Sequence, residues 1–200
     1  MITCASQTTL TFRNILGLTY MSTRGPIVRQ SSFDGLCGIY CLVNTIRNWH
    51  RFNGPTDPDT LRYLLEAVER LGIFSVHRVM GGFEAHELVD IFNEFARAHG
   101  YPAKAQLLNT LADELPAKRS STVDAKPIFE QGGQIIASVD NGRHWVLCYG
   151  YNRTSAKILF EDPAPGKTEV AFAGSKVKSD GVIISPIDCV MSLSIKTGKK

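Results

Sequence analysis

The order of two hydrophobic periods constrains this chain more than any other feature. Up to about residue 100, apolar residues recur at helical spacing; beyond it they come in short runs with strand character. Ile39, Leu42, Val43 and Ile46 follow i, i+3, i+4, i+7 and predict a helix starting near Phe33–Leu36 and ending about Trp49. Asp57 and Pro58 supply an N-cap and a first-turn proline for a second helix. Its stripe is Leu61, Leu64, Leu65, Val68 and Leu71, and it closes near Gly72. After a Gly81-Gly82 turn, a third helix is expected from about Ala85 to His99, with Leu88, Ile91, Phe92 and Phe95 inward and Gly100 as its stop.

Past Tyr101-Pro102 the pattern changes. Strands are expected at Ala103–Leu108, Gln134–Val139, His144–Tyr151, Lys157–Phe160, Thr168–Phe172, Gly181–Ser185 and Val190–Ile195. Asp140-Asn141-Gly142 is a hairpin signal, and residues 109–127 read as a surface segment with a helical turn. Helices followed by closely spaced strands predict an α+β fold, with a helical lobe packed on an antiparallel sheet lobe. Residues 28–200 form one domain and residues 1–27 an N-terminal arm or extension.

The chain carries a formal net charge of +3, with its basic residues scattered. No arginine-rich stripe is interleaved with aromatics, so no nucleic-acid partner is expected. No apolar run approaches about 18 residues, so no membrane-spanning helix is expected either. The N-terminus lacks the basic and apolar regions of a secretory signal. Five cysteines in no framework spacing point to a reducing compartment, and no cysteine–histidine cluster has zinc spacing. No metal or cofactor is expected. Localisation reads as cytoplasmic, or as a secreted effector without a classical signal peptide.

Against that background one cysteine stands apart. Cys37 lies where a Gly-containing loop becomes a helix, facing unpaired backbone N–H groups and the positive end of the helix dipole. Both favour the thiolate, which is the nucleophile. Gly38 beside it would let a substrate carbonyl approach the backbone. Cys41, one turn on, lies inside the helix and reads as packing; Cys148 and Cys189 read as core. His144 opens the run HWVLCYGY beside a loop, where it can reach a thiol as base and then acid. Strand alternation puts His144, Val146 and Cys148 on one face, and Trp145, Leu147 and Tyr149 on the other. His50, His77, His86 and His99 are its competitors. Asp162, after KILFE, can orient the histidine, with Asp140 and Glu161 as alternatives. Gln30 lies seven positions before Cys37, and its amide can complete an oxyanion hole with the Cys37 N–H.

Together these residues resemble papain-like cysteine peptidases, most of all the branch of bacteriocin-processing, double-glycine peptidases and their stand-alone relatives. The matching pieces are Gln30, Cys37-Gly38 and Leu42, then the run from His144 to Tyr151, then the run from Ile158 to Gly166. The order Cys, His, Asp is the family's. The step from Gln30 to Cys37 is one residue longer than is usual, and Leu36 stands where the branch often has Asp. The resemblance implies a papain-like fold with Cys37 as nucleophile, His144 as general acid/base, Asp162 as orienter and Gln30 as oxyanion donor. It implies hydrolysis of a protein or peptide substrate, with the pocket built from loops 72–84, 109–127 and 163–180, and it leaves room for a regulatory protein partner. Deamidases and acyltransferases on the same fold pass through the same thioester, so they stand as alternatives, as does a silent binding module.

Overall fold

The computed structural model describes residues 28–29, 35–49, 56–108, 122–139, 144–164, 172, 174–178 and 181–187. Four helices come first or nearly so: α1 (Cys37–Trp49), α2 (Asp57–Arg70), α3 (Val76–Gly81) and α4 (Ala85–His99). They lead into β1 (Ala103–Leu107), β2 (Thr122–Asp124), α5 (Lys126–Glu130), β3 (Gln134–Val139), β4 (His144–Asn152), β5 (Lys157–Glu161), β6 (Lys176–Lys178) and β7 (Gly181–Pro186). The class is therefore α+β, with an antiparallel five-stranded sheet in the order β1-β7-β3-β4-β5 and a separate β2–β6 pair.

The long helices end where their chemistry dictates. Thr56, not Asp57, caps α2: its hydroxyl accepts from the Asp59 N–H, and Pro58 follows in the first turn. On α4, Glu84 and Glu87 form a reciprocal capping box, and Gly100 closes the helix in the left-handed conformation at φ 62°. α3 and α5 are too short to show a period and were not expected as elements. Ser75 nucleates α3 by accepting the Arg78 N–H at 3.1 Å. Its outer face carries Val76 and Met80 in the open, so burial could not have revealed it. Of the expected strands, Thr168–Phe172 and Val190–Ile195 lie outside the described residues, except Phe172, which is not in a strand.

The sheet has a core on each face. On one, Ile136, Trp145, Leu147, Val182 and Ile184 meet α1, α2 and α4 through Ile39, Leu42, Leu64, Leu88 and Phe92. On the other, Ile135, Ala137, Val146, Cys148 and Ile183 meet Ile128 and Phe129 of α5 and Val177 of β6. The double cover explains why β3 is buried along almost its whole length while its sequence, QIIAS, does not alternate. The expected alternation of β4 holds: Trp145 and Leu147 face the helical side, Val146 and Cys148 the other.

β1 is an edge strand, and α4 finishes it. Asn93 donates to the Ala105 carbonyl at 3.1 Å and accepts the Ala105 N–H at 2.9 Å, substituting for a neighbouring strand. Asn93→Ala strands both groups beside a buried residue. It is expected to lower stability by about 1–3 kcal/mol in urea unfolding; a change within about 0.5 kcal/mol means water replaces the amide without loss.

Candidate functional site

Cys37 is the first residue of α1, and the bend before it is fixed from two sides. The Gly35 N–H donates to the Val79 carbonyl of α3 at 2.8 Å. A Cβ on Gly35 would lie 2.6 Å from the Met80 oxygen and 2.9 Å from the Gly82 nitrogen, so only glycine fits there. The expected pocket loop 72–84 is thus largely α3, and its C-terminal end abuts the chain that delivers the thiol. The other two expected pocket loops, 109–127 and 163–180, are described only in part.

Gly38 has a different reason from the one the sequence suggested. A Cβ there would lie 2.8 Å and 2.9 Å from the Leu88 methyls and 3.3 Å from Trp145 Cδ1. Its lack of a side chain lets α1 close onto α4 and β4.

His144, the first residue of β4, meets Asp162, which follows β5. The sheet register brings them together: Leu147 pairs with Glu161, so the start of β4 runs beside the end of β5. Nε2 of His144 lies 2.7 Å from Oδ1 of Asp162. An ionised carboxylate only accepts, so Nε2 carries the proton and Nδ1 is the nitrogen left for the thiol. The same Oδ1 accepts the Ala164 N–H at 2.8 Å, a turn closed across Pro163. Asp162, not Glu161, is therefore the carboxylate on the ring; Asp140 lies outside the described residues.

The imidazole is pushed up from its ordinary 6.5 to about 9, above all by the Cys37 side chain, against partial burial, and then by the bond to Asp162; the thiol itself lies 3.9 Å from the Gly35 carbonyl oxygen. The side chains of His144 and Asp162 are only 15% and 10% exposed, and Cys37 is 5% exposed. Water therefore screens these contacts little. The three residues the sequence singled out as catalytic are brought together: sulfur to ring to carboxylate.

The other candidates separate cleanly. Cys41 is fully buried; its thiol points to the Trp145 carbonyl at 3.5 Å, and burial above all raises its pKa well above the ordinary thiol value. Cys148 is fully buried in the opposite core, and burial pushes its thiol up as well. Both read as packing, as expected. His99 stacks against Tyr63 and Phe95 at the end of α4, while His77 and His86 are exposed. Cys4, Cys189 and His50 lie outside the described residues.

Gln30 lies outside the described residues too, but the two residues before it are described. Asn44 of α1 clamps Val28, accepting its N–H and donating to its carbonyl, both at 3.0 Å. The Arg29 guanidinium reaches the Ala164 carbonyl at 3.4 Å, next to Asp162. Asn44 is a buried amide inside an apolar stripe, and its polarity at that position is the signal by which it could be found. A groove of about 490 Å³ lies on the outer side of α2, lined by Pro58, Leu61, Leu65 and Phe74 among others. No cysteine or histidine lines it. Among the described residues no group of His, Cys, Asp and Glu could hold a metal ion, and no helix is long and apolar enough to cross a membrane.

Removing the sulfur isolates its effect on the ring. In Cys37→Ala, His144 followed by NMR is expected to titrate clearly below 9, because the largest cause of its elevation is gone. A group whose folded pKa exceeds its unfolded value stabilises most below the unfolded pKa, and loses that contribution as pH rises through the folded one. Wild type should therefore lose stability relative to Cys37→Ala between about pH 6.5 and 9. An unchanged His144 titration would mean that the sulfur does not act on the ring. Comparison with known proteins gave no match, whether to a family model, a curated protein or a solved structure.

Proposed function

We propose that the chain is a papain-like cysteine peptidase, hydrolysing a peptide bond through Cys37, His144 and Asp162. The observation that carries this reading is the relay from sulfur through imidazole to Asp162 Oδ1, with the 2.7 Å bond leaving Nδ1 for the thiol. Nδ1 takes the thiol proton, and the sulfur attacks the substrate carbonyl. The imidazolium so formed is stabilised by the carboxylate at Nε2. His144 then protonates the leaving amine, giving a thioester. Water, deprotonated by the same ring, releases the acid and restores the thiol.

Charge on the tetrahedral oxygen needs donors. The Cys37 backbone N–H, at the start of α1, is one that the helix itself does not use. The Gln30 amide is proposed as the second, a role supported by the anchoring of Val28 and Arg29 just before it. No metal or cofactor takes part in this scheme.

Cys37→Ala is expected to abolish both turnover and labelling by a thiol-directed probe while leaving the fold intact. His144→Ala should cost several orders of magnitude in rate, and Asp162→Asn less. Labelling of Cys41 or Cys148 at neutral pH with Cys37 spared would overturn the assignment. Mass spectrometry of a proteome treated with wild type and with Cys37→Ala identifies the reaction. New peptide termini mark a peptidase. Shifts of about 1 Da at Gln or Asn without new termini mark a deamidase, since –NH2 is replaced by –OH at the same thioester stage.

A further inference from the structure

The residue next to the histidine is the main tie between the sheet and the helical lobe at this site. Trp145 is 5% exposed and faces the helices. Its indole N–H donates to the Phe83 carbonyl at 2.9 Å, in the short connection between α3 and α4. Its own carbonyl receives the Cys41 thiol of α1 at 3.5 Å. Its Cδ1 lies 3.3 Å from the position a Cβ would take on Gly38, the neighbour of Cys37. One side chain thus touches α1 beside the nucleophile and bonds to the connection whose α3 end holds Gly35, two residues before it. On its other side it is one peptide bond from His144.

We propose that Trp145 is a positioning residue, setting the separation of His144 from Cys37 by docking the start of β4 onto α1 and the α3–α4 connection. The proposal rests on the reading of Cys37 and His144 as the reacting pair. The indole N–H to Phe83 supplies a fixed point, and the absent Gly38 side chain supplies the seat. Trp145 carries no charge, and the titratable groups acting on the His144 ring are Cys37 and Asp162. Burial lowers the His144 pKa, so water admitted by looser packing would raise it, and a fall when Trp145 is altered therefore reports a longer separation from the groups that raise it.

The test compares three forms in a Trp49→Phe background, which leaves Trp145 as the sole tryptophan of the two in the chain. They are tryptophan, 3-benzothienylalanine (sulfur in place of the N–H at nearly equal volume) and 7-azatryptophan, which keeps the N–H. Read-outs are the NMR titration of His144 and the pH dependence of Cys37 alkylation by iodoacetamide. Neither needs a substrate. The benzothienyl form should show His144 titrating lower and alkylation at pH 7 slowed roughly tenfold, the equivalent of one pKa unit. The azatryptophan form should match tryptophan. Trp145→Phe, which also loses volume, should show the same change or a larger one. If the benzothienyl form loses thermal stability while both pH read-outs stay at the tryptophan values, Trp145 is only a core residue and the proposal fails. If the tryptophan form itself alkylates Cys41 or Cys148 before Cys37, the reading of the site fails instead, whatever Trp145 does.

Discussion

The closure of α1 on β4 is the contact on which everything else at the site depends. A helix and a strand more than ninety residues apart in sequence meet side by side, and each brings one of the proposed reacting groups on its first residue: Cys37 on α1, His144 on β4. The approach is close because Gly38 has no side chain and Trp145 and Leu88 fill the space. In a close-packed interior a single methyl in that seam moves one element against the other. The nearness of thiol and ring is thus a property of core packing before it is one of the site.

Polar anchors then restrict the parts that packing leaves loose. Gly35 is bonded to Val79, Val28 to Asn44, and Arg29 to Ala164, while Ala164 and His144 share one oxygen of Asp162. Most join segments far apart in sequence. The histidine is the point at which these restraints become electrostatic. Low exposure would normally lower its pKa, yet the sulfur and the carboxylate outweigh that and push it to about 9. The raised pKa makes the ring a stronger acceptor for a proton at Nδ1, and the protonated ring is the form a leaving amine requires.

Much of this was legible in the chain. The helical stripes of α1, α2 and α4, the glycine stop at Gly100 and the alternation of β4 follow from local rules, because side-chain direction repeats with the backbone. Cys37, His144 and Asp162 were each ambiguous alone; their residue types, at a helix start, a strand start and a strand end, made them a set. What escaped was short or long-range. α3 has too few residues to show a period, and its Val76 and Met80 point outward. Thr56 took the cap from Asp57 because either residue type serves, and the backbone geometry chose. Gly38 looked like room for a substrate, but the neighbours that need the space come from α4 and β4.

By itself, then, the amino-acid order determined the helices-then-strands class, the long element boundaries and the three residue types able to run thiol chemistry. All of these depend on neighbours within a few positions along the chain. The tertiary structure decided which nitrogen of His144 meets which partner, that Asp162 rather than Glu161 holds the ring, and that Cys41 and Cys148 are packing. It also decided that Trp145 and Gly38 form the seam between the lobes. These are matters of distance between segments that only the packed core brings together, and no local pattern encodes a distance.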